Sequence, residues 1–170
     1  MHWTRIWTLL GVVLGVLALF MKGATTDGEE LLPALSQADP NFPDGIPTIW
    51  GGLSTVAQVI VVIAILAVVV FAFMPPLRRS EARPYALATV LIGVGLLIYT
   101  AIEYMGARDD ASTLADGFAQ AAAGGAIPAA FSVAVGVGFY VLMAATAIVA
   151  IGGLVMLIGP DDEKNLPAEA

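Results

Sequence analysis

No cysteine occurs in the 170-residue chain, and the one histidine is His2. Without cysteine there is no disulfide, no thiolate metal site and no cysteine nucleophile. A single histidine excludes a bis-histidine haem, and its position leaves no basis for a histidine-bound zinc or a Ser-His-Asp triad. Charge is scarce as well. Asp, Glu, Lys and Arg make up 12% of the residues, about half of the roughly 25% found in soluble domains. Basic residues are the scarcer kind, seven against fourteen acids, and a net charge of −7 cannot neutralise a phosphate backbone, which excludes nucleic acid as a partner. There is no Walker A loop, no H-E-x-x-H and no nucleophile elbow, and the 18 glycines form no G-x-G-x-x-G after a strand. The chain reads as a non-enzyme that needs no cofactor and no metal.

Apolar residues make up 59% of the chain, the composition of an integral membrane protein. A crossing needs about 20 mostly apolar residues, and four stretches qualify, at 6–21, 53–74, 84–104 and 130–158. The first is short, with Trp3 and Trp7 suited to the headgroup level. It reads as a retained helix rather than a signal peptide, because no small-x-small cleavage site follows Phe20. Pro84 suits the first position of the third span, where no internal bond is lost. The fourth is longer than a perpendicular crossing requires. Non-alternating apolar runs exclude a β-barrel. The expected fold is a single all-α domain, an integral membrane four-helix bundle.

The basic residues set the expected orientation. Arg78, Arg79 and Arg83 sit between spans two and three, and four crossings put Arg5 and Lys164 on the same side. Only Lys22 and Arg108 lie opposite, so both termini are expected in the cytoplasm of a bacterium, with the bundle in the inner membrane. Nine acids fall outside: Asp27, Glu29, Glu30, Asp39, Asp44, Glu103, Asp109, Asp110 and Asp116. The charge imbalance is then entirely extracytoplasmic.

Each of the two outer loops contains a short amphipathic pattern. Thr26-Asp27-Gly28-Glu29 fits a capping box, and Leu31, Leu32 and Leu35 follow on one face, so a helix is expected at 27–37, with Pro33 as its weak point. Leu114 and Phe118 suggest a second helix at 111–123, started by Asp109 and Asp110 and ended by Gly124-Gly125. These segments would lie on the bilayer or on a partner, with Leu31, Leu35, Leu114 and Phe118 as contacts. Asp109, Asp110, Asp116 and Glu103 form the best acidic cluster, but they lack the spaced oxygens of a calcium loop.

No ionisable residue falls within the four cores, which argues against pumping or ion coupling. Glu103 sits at the outer end of span three beside Tyr99 and Tyr104, either as an interfacial carboxylate or as a contact for a partner's basic residue. Gln58 and Thr146 are the main polar groups at depth. Tyr140 falls about 15 Å into a fourth span that begins near residue 130. Its hydroxyl then needs either a neighbouring backbone or a polar cavity or second subunit. Small residues mark expected packing faces: Gly11 and Gly15 in span one, Gly93 and Gly95 in span three, and Ala134, Gly138, Ala145 and Gly152 in span four. Span two is bulky nearly all round and expected to face lipid.

Four features carry a family likeness: the basic start Met1-His2-Trp3-Thr4-Arg5-Ile6-Trp7, the Ala/Gly/Val-rich helices, Pro75-Pro76-Leu77-Arg78-Arg79, and Gly159-Pro160 followed by the acidic Asp161-Asp162-Glu163-Lys164. In outline the chain resembles the small four-helix membrane proteins of high-GC actinobacteria. Among these it resembles an accessory subunit of the mammalian-cell-entry type of mycobacterial lipid importer. The resemblance covers the whole chain as topology and rests on no diagnostic motif. It implies a partner permease, lipid or fatty-acid traffic through protein–protein interaction, and no catalysis in this chain. Claudin-like proteins share the topology, but their Trp-rich motif with paired cysteines has no counterpart here. Two functions follow as expectations: a non-catalytic accessory or regulatory subunit of a larger membrane complex, or a small stand-alone or homo-oligomeric carrier of a lipid or small molecule.

Overall fold

The computed structural model describes residues 3–73 and 79–158. The expected basic turn at 75–78, the acidic tail at 161–164 and His2 lie outside the described residues. In chain order the elements are α1 (Trp3–Leu19), β1 (Ala24–Thr26), a 3-10 turn (Glu29–Leu31), α2 (Leu32–Ala38), the single-turn α3 (Ile49–Gly52), α4 (Thr55–Phe73), α5 (Arg79–Ala123), β2 (Val133–Val135) and α6 (Val137–Ile158). The all-α expectation holds apart from one two-stranded antiparallel sheet. Helices α4, α5 and α6 each contain an apolar stretch long enough to cross a membrane. Helix α1 has 17 residues. Its rise of about 25 Å falls short of the hydrocarbon thickness of about 30 Å.

The chain divides into two compact units. Unit 1 comprises Met1–Val16, Ser54–Tyr99 and Met143–Ala170, and unit 2 comprises Leu17–Leu53 and Thr100–Leu142.

Within unit 1, α6 packs against both α1 and α5 through residues that lack bulk. A methyl group built on Gly11 would stand 2.9 Å from the Ala145 carbonyl oxygen, and one on Gly93 would stand 2.6 Å from the Ala150 nitrogen. On Gly152 it would strike the Thr8 hydroxyl, and on Gly153 it would lie 2.8 Å from the Val90 nitrogen. Backbones approach this closely only where side chains are missing or small. Two of the threonines buried here donate within their own helices: Thr89 to the Tyr85 carbonyl at 2.9 Å and Thr146 to the Met143 carbonyl at 3.0 Å. Helix α4 buries Val61, Val68 and Ala72 and leaves Val56, Ile60, Ile63, Leu66 and Val70 exposed. That is one narrow packing stripe on an otherwise greasy cylinder.

Unit 2 is built on the strand pair and a compact apolar core. Strands β1 and β2 pair in the register Ala24↔Val135, Thr25↔Ala134 and Thr26↔Val133. The pairing continues beyond the strands, where the Gly136 amide donates to the Gly23 carbonyl and the Gly23 amide to the Pro47 carbonyl, both at 2.9 Å. A side chain at Gly136 would collide with the Lys22 carbonyl, so glycine is required there. Leu32, Leu35, Phe118 and Ile127 form the core. Phe42 and Phe131 close on Phe118 with ring centroids at 5.9 Å and 5.5 Å. Helix α5 ends as the Gly-Gly pair predicts: Gly125 takes φ +75°, its amide donates to the Ala122 carbonyl and the Ala126 amide to the Ala121 carbonyl. Those two bonds satisfy the last carbonyls of the helix.

Several expectations are corrected. The fourth helix starts at Val137, not near 130, because Val133–Val135 pair as a strand. Ala134 is therefore a strand residue and not part of a helix-packing stripe. The helix expected at 111–123 is not separate. Helix α5 runs unbroken through Gly106 from Arg79 to Ala123, since one glycine costs a helix only about 1 kcal/mol. Asp109 and Asp110 thus sit mid-helix, far from any helix N-terminus, and Ser112 and Thr113 donate to the Asp109 carbonyl. Pro84 lies inside α5 rather than at its start, so one internal backbone bond is forgone. The capping box does not form. Thr26 belongs to β1, where its hydroxyl donates to the Ser132 carbonyl and accepts from the Gly28 amide. Glu29 pairs with Lys22 instead. Pro33 falls at the start of α2, where it interrupts nothing.

Candidate functional site

From Glu103 onward, helix α5 presents one stripe: Glu103, Gly106, Ala107, Asp110, Ala111 and Leu114. Their spacing of three and four residues puts all six on a single face. This face forms one wall of a cleft of about 380 Å³ in unit 2. The opposite wall is the segment from Pro43 to Leu53, with Pro47 and Ile49 facing the same space, and Phe139 closes one side. That segment is held in place locally. Thr48 caps α3 by accepting from the Gly51 amide at 3.1 Å, and the Ile49 amide donates to the Met21 carbonyl at 2.9 Å. Prolines 40, 43 and 47 keep the preceding stretch out of helix. The volume lies within the roughly 300–1,000 Å³ typical of small-ligand sites.

The lining is mostly apolar, with two carboxylates and no basic side chain among the described residues. Unit 2 as a whole carries Lys22 and Arg108 against the nine acids named above. Lys22 is taken up by Glu29, at 2.6 Å from its Oε1. The whole charge imbalance of the chain therefore resides in unit 2, while the basic and acidic residues of unit 1 balance. Glu103, Asp109, Asp110 and Asp116 are strung along α5, and among the described residues no three acidic or histidine groups converge as a metal site would need. A second cleft of about 820 Å³ borders the next face of α5, lined by Asp39, Asn41, Asp116 and Gln120 among others.

Of the residues expected to contact a partner, Glu103 and Leu114 line the first cleft. Leu31 packs half-buried beside the core, and Leu35 and Phe118 are inside it. Those two are therefore taken up within the chain. Tyr140 stands in the first turn of α6, not deep within a span, and is 53% exposed. Its hydroxyl meets that of Tyr104 at 3.0 Å, with ring centroids at 5.6 Å. Among the expected packing residues, Gly11, Gly93, Ala145 and Gly152 meet neighbours as described, and Gly138 would place a methyl 2.8 Å from the Met21 Cβ. Gly15 is half-buried. Gly95 is exposed with open space around it, so it packs against nothing among the described residues. Sequence reasoning missed Asp110 as a cleft residue, together with Gly106, Pro47 and Phe139. The signal was present in the seven-residue spacing of Glu103 and Asp110, but it shows only when the helix is followed through Gly106.

No family model matches the chain, no curated protein matches it, and no solved structure matches it.

Proposed function

We propose that the chain is a non-catalytic accessory or regulatory subunit of a larger bacterial inner-membrane complex. Apolar helices hold it in the bilayer, and it offers its acidic unit to a partner of permease type. In this reading α1, α4, α5 and α6 make four crossings as a bundle. Both termini and the arginines at 78, 79 and 83 lie in the cytoplasm, where positive residues accumulate. The observation that carries the reading is the separation of charge. All the excess acid is gathered in unit 2, which contains a cleft lined by Glu103 and Asp110, and the membrane-length stretches of α4 and α6 carry none. Such a distribution suits recognition of a cationic surface more than chemistry. The likeness to accessory subunits of lipid importers makes a lipid-transport complex the specific form of the proposal.

The test is purification of the tagged full chain from its native membrane in mild detergent. A larger membrane protein at fixed stoichiometry, released by high salt, is the expected result. A monodisperse monomer with no companion would overturn the proposal. A second reading, a stand-alone or homo-oligomeric carrier, draws on the size of the cleft and would be favoured by lipid or solute uptake into liposomes holding the pure protein alone.

A further inference from the structure

We propose that Arg108 and the paired hydroxyls of Tyr104 and Tyr140 bind the phosphodiester of a membrane phospholipid, whose acyl chains lie along an exposed apolar stripe of α5. The inference rests on the placement in the bilayer proposed above and is independent of any protein partner.

The argument starts from the exposed face of α5. Leu87, Leu91, Val94, Ile98, Ile102 and Met105 are its large exposed apolar residues beyond Tyr85, and none follows Met105. Their spacing of three and four residues makes them one stripe. It rises about 27 Å, close to the hydrocarbon thickness of about 30 Å. The same spacing, carried one step further at each end, reaches exposed Arg83 and exposed Arg108. A lipid-length apolar stripe with an arginine at each end fits acyl chains along its length and phosphates at its ends.

The end at Arg108 also carries hydroxyl donors. Tyr104 lies one turn below Arg108, about 6 Å along the axis, and its hydroxyl meets that of Tyr140 at 3.0 Å. One hydroxyl donates to the other, so the second keeps its own proton to give away, and Tyr140 is 53% exposed. Arg108 stands near enough to act electrostatically on the Tyr140 hydroxyl. It makes no ion pair among the described residues, although nine acids share its unit. Asp109 is turned about 100° from it around the helix. A guanidinium and a spare phenol proton are donors only, and together they suit an anion with several acceptor oxygens. The acids of unit 2 repel anions arriving from solution. A phosphate already anchored in the bilayer beside Ile102 and Met105 escapes most of that penalty, so the source is lipid and not free phosphate.

The test is native mass spectrometry of the full chain released from non-ionic detergent, titrated with dioleoyl phosphatidylglycerol, with dioleoylglycerol, and with sn-glycerol 3-phosphate. One phosphatidylglycerol should bind per chain, about tenfold more tightly than either of the other probes, the worth of a charged hydrogen bond. Arg108→Gln should remove that advantage, while Lys22→Gln, the other cation of unit 2, should leave affinity within about twofold. Tyr104→Phe and Tyr140→Phe should each change it less than about twofold, because the surviving hydroxyl keeps its proton. The double variant has no such donor and should lose about fivefold. Circular dichroism verifies that each variant is folded. Equal binding of the two lipids, binding of glycerol phosphate as tight as that of phosphatidylglycerol, no loss in Arg108→Gln or in the double tyrosine variant, or an equal loss in Lys22→Gln would overturn the proposal. Carbonate extraction of membranes holding the full chain separates it from the bilayer placement. A chain that stays in the pellet while the lipid results fail overturns the lipid site alone. Release into the supernatant overturns the placement, and the lipid site with it.

Discussion

Replacing Gly93 with alanine should destabilise the protein, while the same change two residues on, at Gly95, should stabilise it. Both glycines lie in α5, so both substitutions gain the same helix-propensity benefit of about 1 kcal/mol. Their surroundings differ completely. The added methyl at Gly93 would stand 2.6 Å from the nitrogen, 2.7 Å from the Cα and 3.0 Å from the Cβ of Ala150 on α6. Two of those three atoms are backbone, so no side-chain rotation relieves the clash, and the two helices must separate. Overpacking of this kind costs about 1–3 kcal/mol. At Gly95 nothing stands within 4 Å. Because the propensity gain cancels between the two variants, their difference isolates the packing cost. It should reach about 1–3 kcal/mol, or a separation in melting temperature of roughly 2–12 °C at about 2–4 °C per kcal/mol. Reversible unfolding in mixed micelles, followed by circular dichroism, measures it. If the two variants melt within about 0.5 kcal/mol of each other, the close approach of α5 and α6 at this level is not a feature of the native state.

Phe118→Ala should cost about 3–5 kcal/mol, because the ring is fully buried among Leu32, Leu35 and Ile127 with Phe42 and Phe131 closed on it. Limited proteolysis should then cut the segment between α2 and α3 sooner than in the parent protein. Tyr104→Phe and Tyr140→Phe should each lower stability by the same small amount, since each removes the single exposed hydrogen bond their hydroxyls share. The double variant should lose little more than either alone, a coupling that a double-mutant cycle in thermal unfolding reads directly.

Long apolar runs are the features most legible in a sequence, and here α4 (Thr55–Phe73) follows the expected 53–74 closely. The glycine stop at the end of α5 and the close helix approaches at Gly11, Gly93 and Gly152 were also readable, because each depends on one residue's lack of a side chain. Apolar composition was a poor guide where a tertiary partner decided the outcome. Val133-Ala134-Val135 suits the start of a helix in a membrane chain as well as it suits a strand, and only Ala24–Thr26, more than a hundred residues earlier, settles it. Thr26 illustrates the same competition. Its local pattern asks for a helix cap, but its hydroxyl is claimed by Ser132 across the sheet. The expected placement of Tyr140 at depth was off for this reason alone, since a helix that begins at Val137 puts it in the first turn.

The acidic residues teach a different lesson. Taken one at a time along a presumed loop, Glu103, Asp109, Asp110 and Asp116 look like solvated charges with a helix start near the middle. A continuous helix sorts them. Residues seven apart fall on one face, so Glu103 and Asp110 both line the cleft, while Asp109 does not. The decision between the two pictures rests on Gly106, whose helical cost of about 1 kcal/mol is smaller than the gain from burying Ala111 and Phe118 further along the same rod. A glycine inside an otherwise unbroken helical pattern is thus weak evidence for a break. When both sides of it carry charged residues in register, following the helix through it is what brings the two carboxylates onto one wall of the cleft.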